Sequence, residues 1–277
     1  ALTIELIGTN TITGYYGIFL NAEIDASSYG TNATLTITGE NNGSLGVSGS
    51  DHGIYVKSGT GNASINIKNV AVTSSTNGNS AAGVYVMSSS TPTDSPQLSL
   101  AVNGGSLTAS GTEGKDGILF YVGSSQATGA TTNLTVTDNA IVRAENGIKA
   151  GRVDKPTPSG TGIVFDGEDG TVYGEVTLQE NLTIGEGESL TVPEGSSLNC
   201  NEKLTNNGTI NVESGGTVTG KLKGSANDIQ TPSITAQPTG QTVTAGNPAT
   251  FAVTASDVQS YQWQQSTDNG GNWTDIS

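Results

Sequence analysis

The chain has 277 residues, which by length alone is one large or two medium domains. Glycine supplies 39 of them, about twice the usual share, while only 13% are charged and 33% hydrophobic. Ten basic against 25 acidic residues leave a net charge of −15, so the basic patch that binds nucleic acid or an anionic leaflet is missing, and no apolar run approaches membrane-spanning length.

What remains is a β-protein rich in Gly, Ser, Thr and Asn. Cys200 stands alone, which excludes an internal disulfide framework and a cysteine-rich zinc site. No signal peptide opens the chain. Leu2-Thr3-Ile4 already lies in the alternating pattern that recurs later, so both ends read as cuts within a longer, multi-domain protein.

In chain order, a short apolar strand opened by glycine recurs. The copies begin at Gly17, Gly53, Gly83, Gly117, Gly147 and Gly162, and the first five start 36, 30, 34 and 30 residues apart. Each of most copies is followed by a loop and a second alternating strand, as in Leu35-Thr36-Ile37, Ile65-Asn66-Ile67, Leu98-Ser99-Leu100 and Leu134-Thr135-Val136. A third segment follows in Leu45-Gly46-Val47 and Leu107-Thr108-Ala109. Three short strands per repeat of about 30 residues is the rhythm of a stacked solenoid. The fold class is therefore all-β, a single-stranded parallel β-helix, right-handed by the base rate of parallel crossovers.

Alternation places Ile54, Val56, Ile65 and Ile67 inward and Tyr55, Asn66 and Lys68 outward. Gly, Asn and Ser mark corners, where positive φ is often needed. The long-loop coils run to about residue 171. From 172 to 224 the coils shorten, with Leu190 to Ile210 and Val192 to Val212 each 20 residues apart. This stretch reads as the same solenoid without its long loops. Seven to nine coils at about 4.8 Å each make a rod on the order of 40 Å long.

Residues 225–232 read as a linker, and 233–277 as a second domain. There Gln237-Pro238, Val243-Thr244-Ala245-Gly246, Tyr261-Gln262-Trp263-Gln264 and a Gly-rich turn before Trp273 follow in order. This segment resembles the first half of the bacterial immunoglobulin-like repeat of multi-domain surface proteins. The resemblance implies a β-sandwich of about seven strands, of which three or four are present. It implies core roles for Phe251 and Trp263, whose apolar faces half a sandwich leaves poorly covered.

The outward positions of the glycine-led strands line up as Phe19, Tyr55, Tyr85, Leu119, Lys149 and Val164, with Asn21, Lys57, Met87, Tyr121 and Gly151 alongside. Stacked coils bring such aromatics to ring-stacking distance. A ladder of Phe19, Tyr55, Tyr85 and Tyr121 suits sugar rings, and equally suits simple stabilisation of a β-face. The corners before these strands carry Tyr15-Tyr16, Asp51-His52, Lys115-Asp116 and Glu145-Asn146. Asp51 and Asp116 would supply hydrogen bonds to a ligand, or be solvated corner residues. His52, the only histidine, reads as a surface residue and has no histidine partner for a metal or a catalytic triad.

Asp166-Gly167-Glu168-Asp169-Gly170 is the densest acidic run, and Asp166, Glu168 and Asp169 are weak calcium candidates whose spacing misses the EF-hand loop. Otherwise no cofactor or metal is expected. Glu186, Glu188 and Glu194 read as solvated loop charge. Seven Asn-x-Ser/Thr sequons occur, a number chance supplies in so Asn- and Thr-rich a chain.

The phrases Leu35-Thr36-Ile37-Thr38-Gly39 and Asp51-His52-Gly53-Ile54-Tyr55 make residues 1–150 similar to the carbohydrate-binding β-helix proteins of clostridia and related gut bacteria. That resemblance implies an extracellular or cell-surface module that binds polysaccharide or a host or cell-wall ligand. A dense repeated Asp pattern at these corners is missing, since only Asp51 and Asp116 occupy it, and the charge of −15 repels polyanions. The expected function is non-catalytic, carbohydrate-binding or adhesin-like. A stalk or spacer within a larger surface protein is the alternative. A polysaccharide lyase or hydrolase is the third reading, disfavoured because no paired-Asp or Gly-His-Gly motif is present.

Overall fold

A computed structural model describes residues 1–22, 31–78, 82–89, 95–112, 115–123, 129–223, 233–256 and 261–276, the side chains of 41 and 42 aside. It divides into two compact units, Ala1–Asp228 and Ile229–Ser277. The expected linker at 225–232 lies outside the described residues. Among the described residues every regular element is a strand, and no helix is long and apolar enough to cross a membrane.

The first unit opens with alternating long and short strands. These are β1 (Leu2–Gly14), β2 (Ile18–Asn21), β3 (Ala33–Gly49), β4 (Ile54–Ser58), β5 (Ala63–Thr76), β6 (Val84–Ser88), β7 (Gln97–Ser110), β8 (Ile118–Val122), β9 (Thr131–Ala144) and β10 (Ile148–Gly151). Then come β11 (Pro158–Asp166), β12 (Asp169–Tyr173), β13 (Glu175–Thr177), β14 (Leu182–Ile184), β15 (Ser189–Val192), β16 (Ser197–Asn199), β17 (Leu204–Asn206), β18 (Thr209–Val212) and β19 (Thr217–Thr219). One sheet of nine strands runs β1-β3-β5-β7-β9-β11-β12-β15-β18, and one of five runs β10-β8-β6-β4-β2. All neighbours in these sheets are parallel except β11 and β12.

The expected second and third strands of each coil are one long strand bent in the middle. Its register shifts between Ile7 and Thr9, Thr38 and Ser44, and Asn103 and Ser106. The bend uses left-handed backbone at Gly8, Asn69, Gly104, Gly105, Asp138 and Asn139. Asn, Asp and Gly tolerate that conformation, so they recur there. The two halves of the long strand and the following short strand make three faces. Inward residues stack in register: Leu35, Ile65, Leu100 and Leu134 on one face, Ile18, Ile54, Val84, Ile118 and Ile148 on another, all buried. Ile54, Val56, Ile65 and Ile67 point inward as expected.

The recurrent glycines at 17, 53, 83 and 117 are not held by positive φ, contrary to expectation. A Cβ on Gly53 would sit 2.6 Å from the Gly83 carbonyl oxygen and 2.3 Å from Ser74 Oγ. Close approach of successive coils therefore excludes any side chain.

The expectation of one continuous solenoid needs correcting at Gly162–Asp169. The sixth glycine-led copy does not join the five-stranded sheet. It lies in β11 of the nine-stranded sheet, with Val164 buried rather than outward. Gly167, at φ 71°, and Glu168 then turn the chain into β12, antiparallel to β11. The acidic run is this hairpin. Strands β15 and β18 continue parallel to β12, so stacking proceeds in the same direction while the strands run the opposite way.

The core changes face at the same point. Val164 pairs with Val142 and belongs to the first core cluster. Its neighbours Ile163 and Phe165 point to the other face, pair with Val172 and Gly170, and are fully buried outside that cluster. Leu190, Val192, Leu198, Cys200 and Leu204 are buried in this second segment. Tyr173, on the first face, packs against the first cluster. Reversing strand direction alone would reverse the hand of the coil. Reversing direction and core face together restores it. Parallel crossovers strongly prefer one hand, and the face switch lets both segments keep it.

In the second unit β20 (Ser233–Ala236) pairs with β21 (Thr254–Ser256), and β22 (Gln264–Gln265) with β23 (Thr274–Asp275), both antiparallel. These are two small sheets rather than a sandwich. Phe251 is 52% and Trp263 41% exposed, so neither fills the core role its resemblance implies.

Candidate functional site

The short strands build the aromatic column, because a repeat of nearly constant length brings the residue after each glycine-led aliphatic into register. Phe19 pairs with Tyr55, Tyr55 with Tyr85, and Tyr85 with Leu119. Phe19 stacks on Tyr55 with centroids 4.8 Å apart, and Tyr55 on Tyr85 at 4.7 Å. This is the inter-strand spacing itself. Tyr121 stands two residues along, in the adjoining column, and meets Tyr85 edge-on at 6.3 Å. The Arg152 guanidinium lies 5.3 Å above Tyr121.

Stacking consumes ring faces. Tyr55 is only 9% exposed, whereas Phe19 is 41% exposed and Tyr15, on the adjacent corner, 67%. Tyr16 packs between them, 4.9 Å from Tyr15 and 4.7 Å from Phe19. The middle of the ladder is thus a cohesive stack, and its accessible aromatic surface lies at the Tyr15–Phe19 end.

His52 is not a surface residue, contrary to expectation. It is 7% exposed, meets Tyr55 edge-on at 5.0 Å and lies tilted against Tyr85 at 4.7 Å. Its Nδ1 accepts the Ala82 N–H at 3.1 Å, which leaves the proton on Nε2, 3.8 Å from Asp51 Oδ2. Burial lowers its pKa and outweighs the raising effect of Asp51. A neutral imidazole thus wedges the ladder onto the corner. Burial, with the charge of and a hydrogen bond to Asp51, raises the Tyr16 hydroxyl.

Asp51 and Asp116 do not form a pair. They sit at the corners before Gly53 and Gly117, and the corner before Gly83, carrying Ala82, lies between them. Burial raises the Asp116 carboxyl, opposed by Lys149 and Lys115. The three calcium candidates diverge. Asp166 holds Lys155 and accepts the Ile148 N–H at 2.7 Å, Asp169 accepts Ser189 Oγ at 3.0 Å, and Glu168 is exposed on the turn. Among the described residues no three His, Cys, Asp or Glu side chains group as metal donors. Glu188 is not solvated loop charge. It binds Arg143 at 2.5 Å and accepts the Gly185 N–H at 2.7 Å.

Sequence reasoning missed a second feature. Because the second segment covers the outer face of the nine-stranded sheet, a groove of about 710 Å³ opens between them. The bends of the long strands, at Asn69, Gly104-Gly105 and Asp138-Asn139, form one wall, and Gln179, Glu180, Asn181 and Lys203 form the other. A smaller groove of about 390 Å³ shares Ile141, Glu180 and Asn181 and continues past Arg143. The Asn, Asp and Gly residues in mid-strand were the available signal.

No protein-family model, curated protein or solved structure matches this chain.

Proposed function

We propose that this chain is a non-catalytic, extracellular module of a bacterial surface protein that binds carbohydrate or acts as an adhesin. The observation that carries the reading is the column Phe19–Tyr55–Tyr85–Tyr121 on the five-stranded sheet, with Tyr15 and Phe19 accessible at one end. A rigid aromatic edge stacks on the apolar face of a sugar ring at little entropic cost. Asp51 and Asp116 flank it with hydrogen-bonding groups. The surface setting rests on the likeness of residues 233–277 to bacterial immunoglobulin-like repeats. The net charge of −15 favours neutral over anionic polysaccharide.

A stalk or spacer is the second reading. The continuous hydrogen-bonded stack of nine strands favours it, since such a stack resists bending. A glycan array probed with and without calcium separates the two. Retention of neutral glycans, weakened by Tyr15→Ala and Phe19→Ala, supports the carbohydrate reading. An empty array under both conditions leaves the spacer.

A further inference from the structure

We propose that the groove between the bent long strands and the second coil segment is a binding site for a neutral oligosaccharide. It lies on the nine-stranded sheet, apart from the aromatic column, and so goes beyond the aromatic edge as a site. Its volume of about 710 Å³ is that of a ligand pocket.

The chemistry of its walls selects the ligand class. Asp138 and Glu180 supply carboxylates, Asn69, Asn139 and Asn181 supply carboxamides, and Lys203 an ammonium group. The carboxylates accept, the ammonium donates and the carboxamides do both, so together they span the paired hydroxyls of a sugar ring. Two of them are already held in place: Glu180 accepts Ser106 Oγ at 3.1 Å, and Asn139 Oδ1 accepts the Thr177 N–H at 2.8 Å. The side chains of Asp138, Asn181 and Lys203 make no hydrogen bond or ion pair with the described residues, and so are open to a ligand. Val70 is turned into the core and Ile141 is buried, so half-buried Ala71 and the edge of Ile141 give the floor little apolar surface, too little to anchor a lipid or an aromatic group. Two carboxylates against one ammonium disfavour a polyanion.

The site is also built on rigid elements. A Cβ on Gly105 would meet the Val70 carbonyl oxygen at 2.4 Å, so the bends on this wall are packed backbone to backbone. A wall of that kind holds its backbone in one arrangement, which lowers the entropic cost of binding.

Calorimetric titration of the full chain with cellotriose, maltotriose, xylotriose, triacetylchitotriose and trigalacturonate tests this. At least one neutral trisaccharide is expected to bind saturably, and Glu180→Ala/Asn181→Ala and Lys203→Ala to weaken it by about tenfold or more, since each lost partner leaves a sugar hydroxyl unpaired. Glu213→Gln, at an exposed position that lines neither groove nor the aromatic column, is expected to leave it within about twofold. On titration into the unaltered protein, the amide resonances of Gly104 and Gly105 are expected to shift, which keeps the test independent of variant folding. No binding by any neutral trisaccharide up to about 10 mM overturns the proposal. So does preference for trigalacturonate. Binding lost in Phe19→Ala and retained in both groove variants also overturns it, while upholding the aromatic edge.

Discussion

Phe165→Ala probes the face switch directly. The ring is fully buried, with the Arg143 guanidinium 3.8 Å from its centroid. On the neighbouring strand a Cβ on Gly170 would come within 2.6 Å of the ring, so glycine there leaves the space the phenyl fills. Truncating a buried Phe costs about 3–5 kcal/mol, the lost cation–π contact with Arg143 included. Solenoid coils contact mainly their neighbours, so the loss is expected to fall on the second segment rather than on the whole unit. Native-state hydrogen exchange reads this strand by strand. Amides of β15 and β16 are expected to exchange about two to three and a half decades faster, at about 1.4 kcal/mol per decade. Those of β5 and β7 are expected to stay within about threefold. Val164→Ala, one residue away and facing the first core, is expected to do the reverse, loosening β9 and β10 by about 2 kcal/mol. If both substitutions loosen the same strands, or if Phe165→Ala leaves β15 protected, the two-core arrangement is wrong.

His52 is the only histidine, so its imidazole resonances titrate without overlap, and their midpoint is expected below the ordinary 6.5 because of burial. With the folded pKa depressed, the unfolded chain takes the proton first. The stability His52 contributes is present above pH 6.5 and lost as pH falls through the folded value. His52→Asn, which keeps an acceptor for the Ala82 N–H, is expected to remove that part of the acid-side fall in Tm. Glu188→Gln is expected to cost about 1–2 kcal/mol in denaturant melts at neutral pH. Burial raises the Glu188 pKa, but the Arg143 hydrogen bond and the Gly185 N–H outweigh it, so the net shift is downward. The difference between Glu188→Gln and the unaltered protein should therefore shrink as pH falls below 4.5, and a difference that persists in acid contradicts the assignment. The Cys200 thiol is buried and pushed up to about 11 by that burial. Its labelling by a thiol reagent is expected to follow unfolding rather than thiol exposure, and fast labelling of the native protein would contradict this placement.

Much of the first coil segment was legible because it rests on local regularities. Alternation of period two needs only the backbone, and it oriented Ile54, Val56, Ile65 and Ile67 correctly. Repeats of 30 to 36 residues with a constant glycine offset put Phe19, Tyr55 and Tyr85 in one column. The burial of His52 was not legible. It depends on Tyr16, Tyr55 and Tyr85 closing around one corner from three different coils, and a corner read alone looks solvated.

In the first coil segment the sequence by itself determined the period-two faces of the strands and the stacking of glycine-led copies at 17, 53, 83, 117 and 147, though not that the second and third strands of a coil are one. The tertiary structure decided the rest at Ile163-Val164-Phe165. These three look like one more copy, yet the run does not alternate, because both of its faces are covered. An unbroken apolar run says that a strand is buried on two sides, but not what lies on each. Only the hairpin at Gly167 and Glu168 assigns Val164 to the first core and its neighbours to the second. The groove on the outer face exists for the same reason. It is made where two segments meet, so no local pattern within either one specifies it.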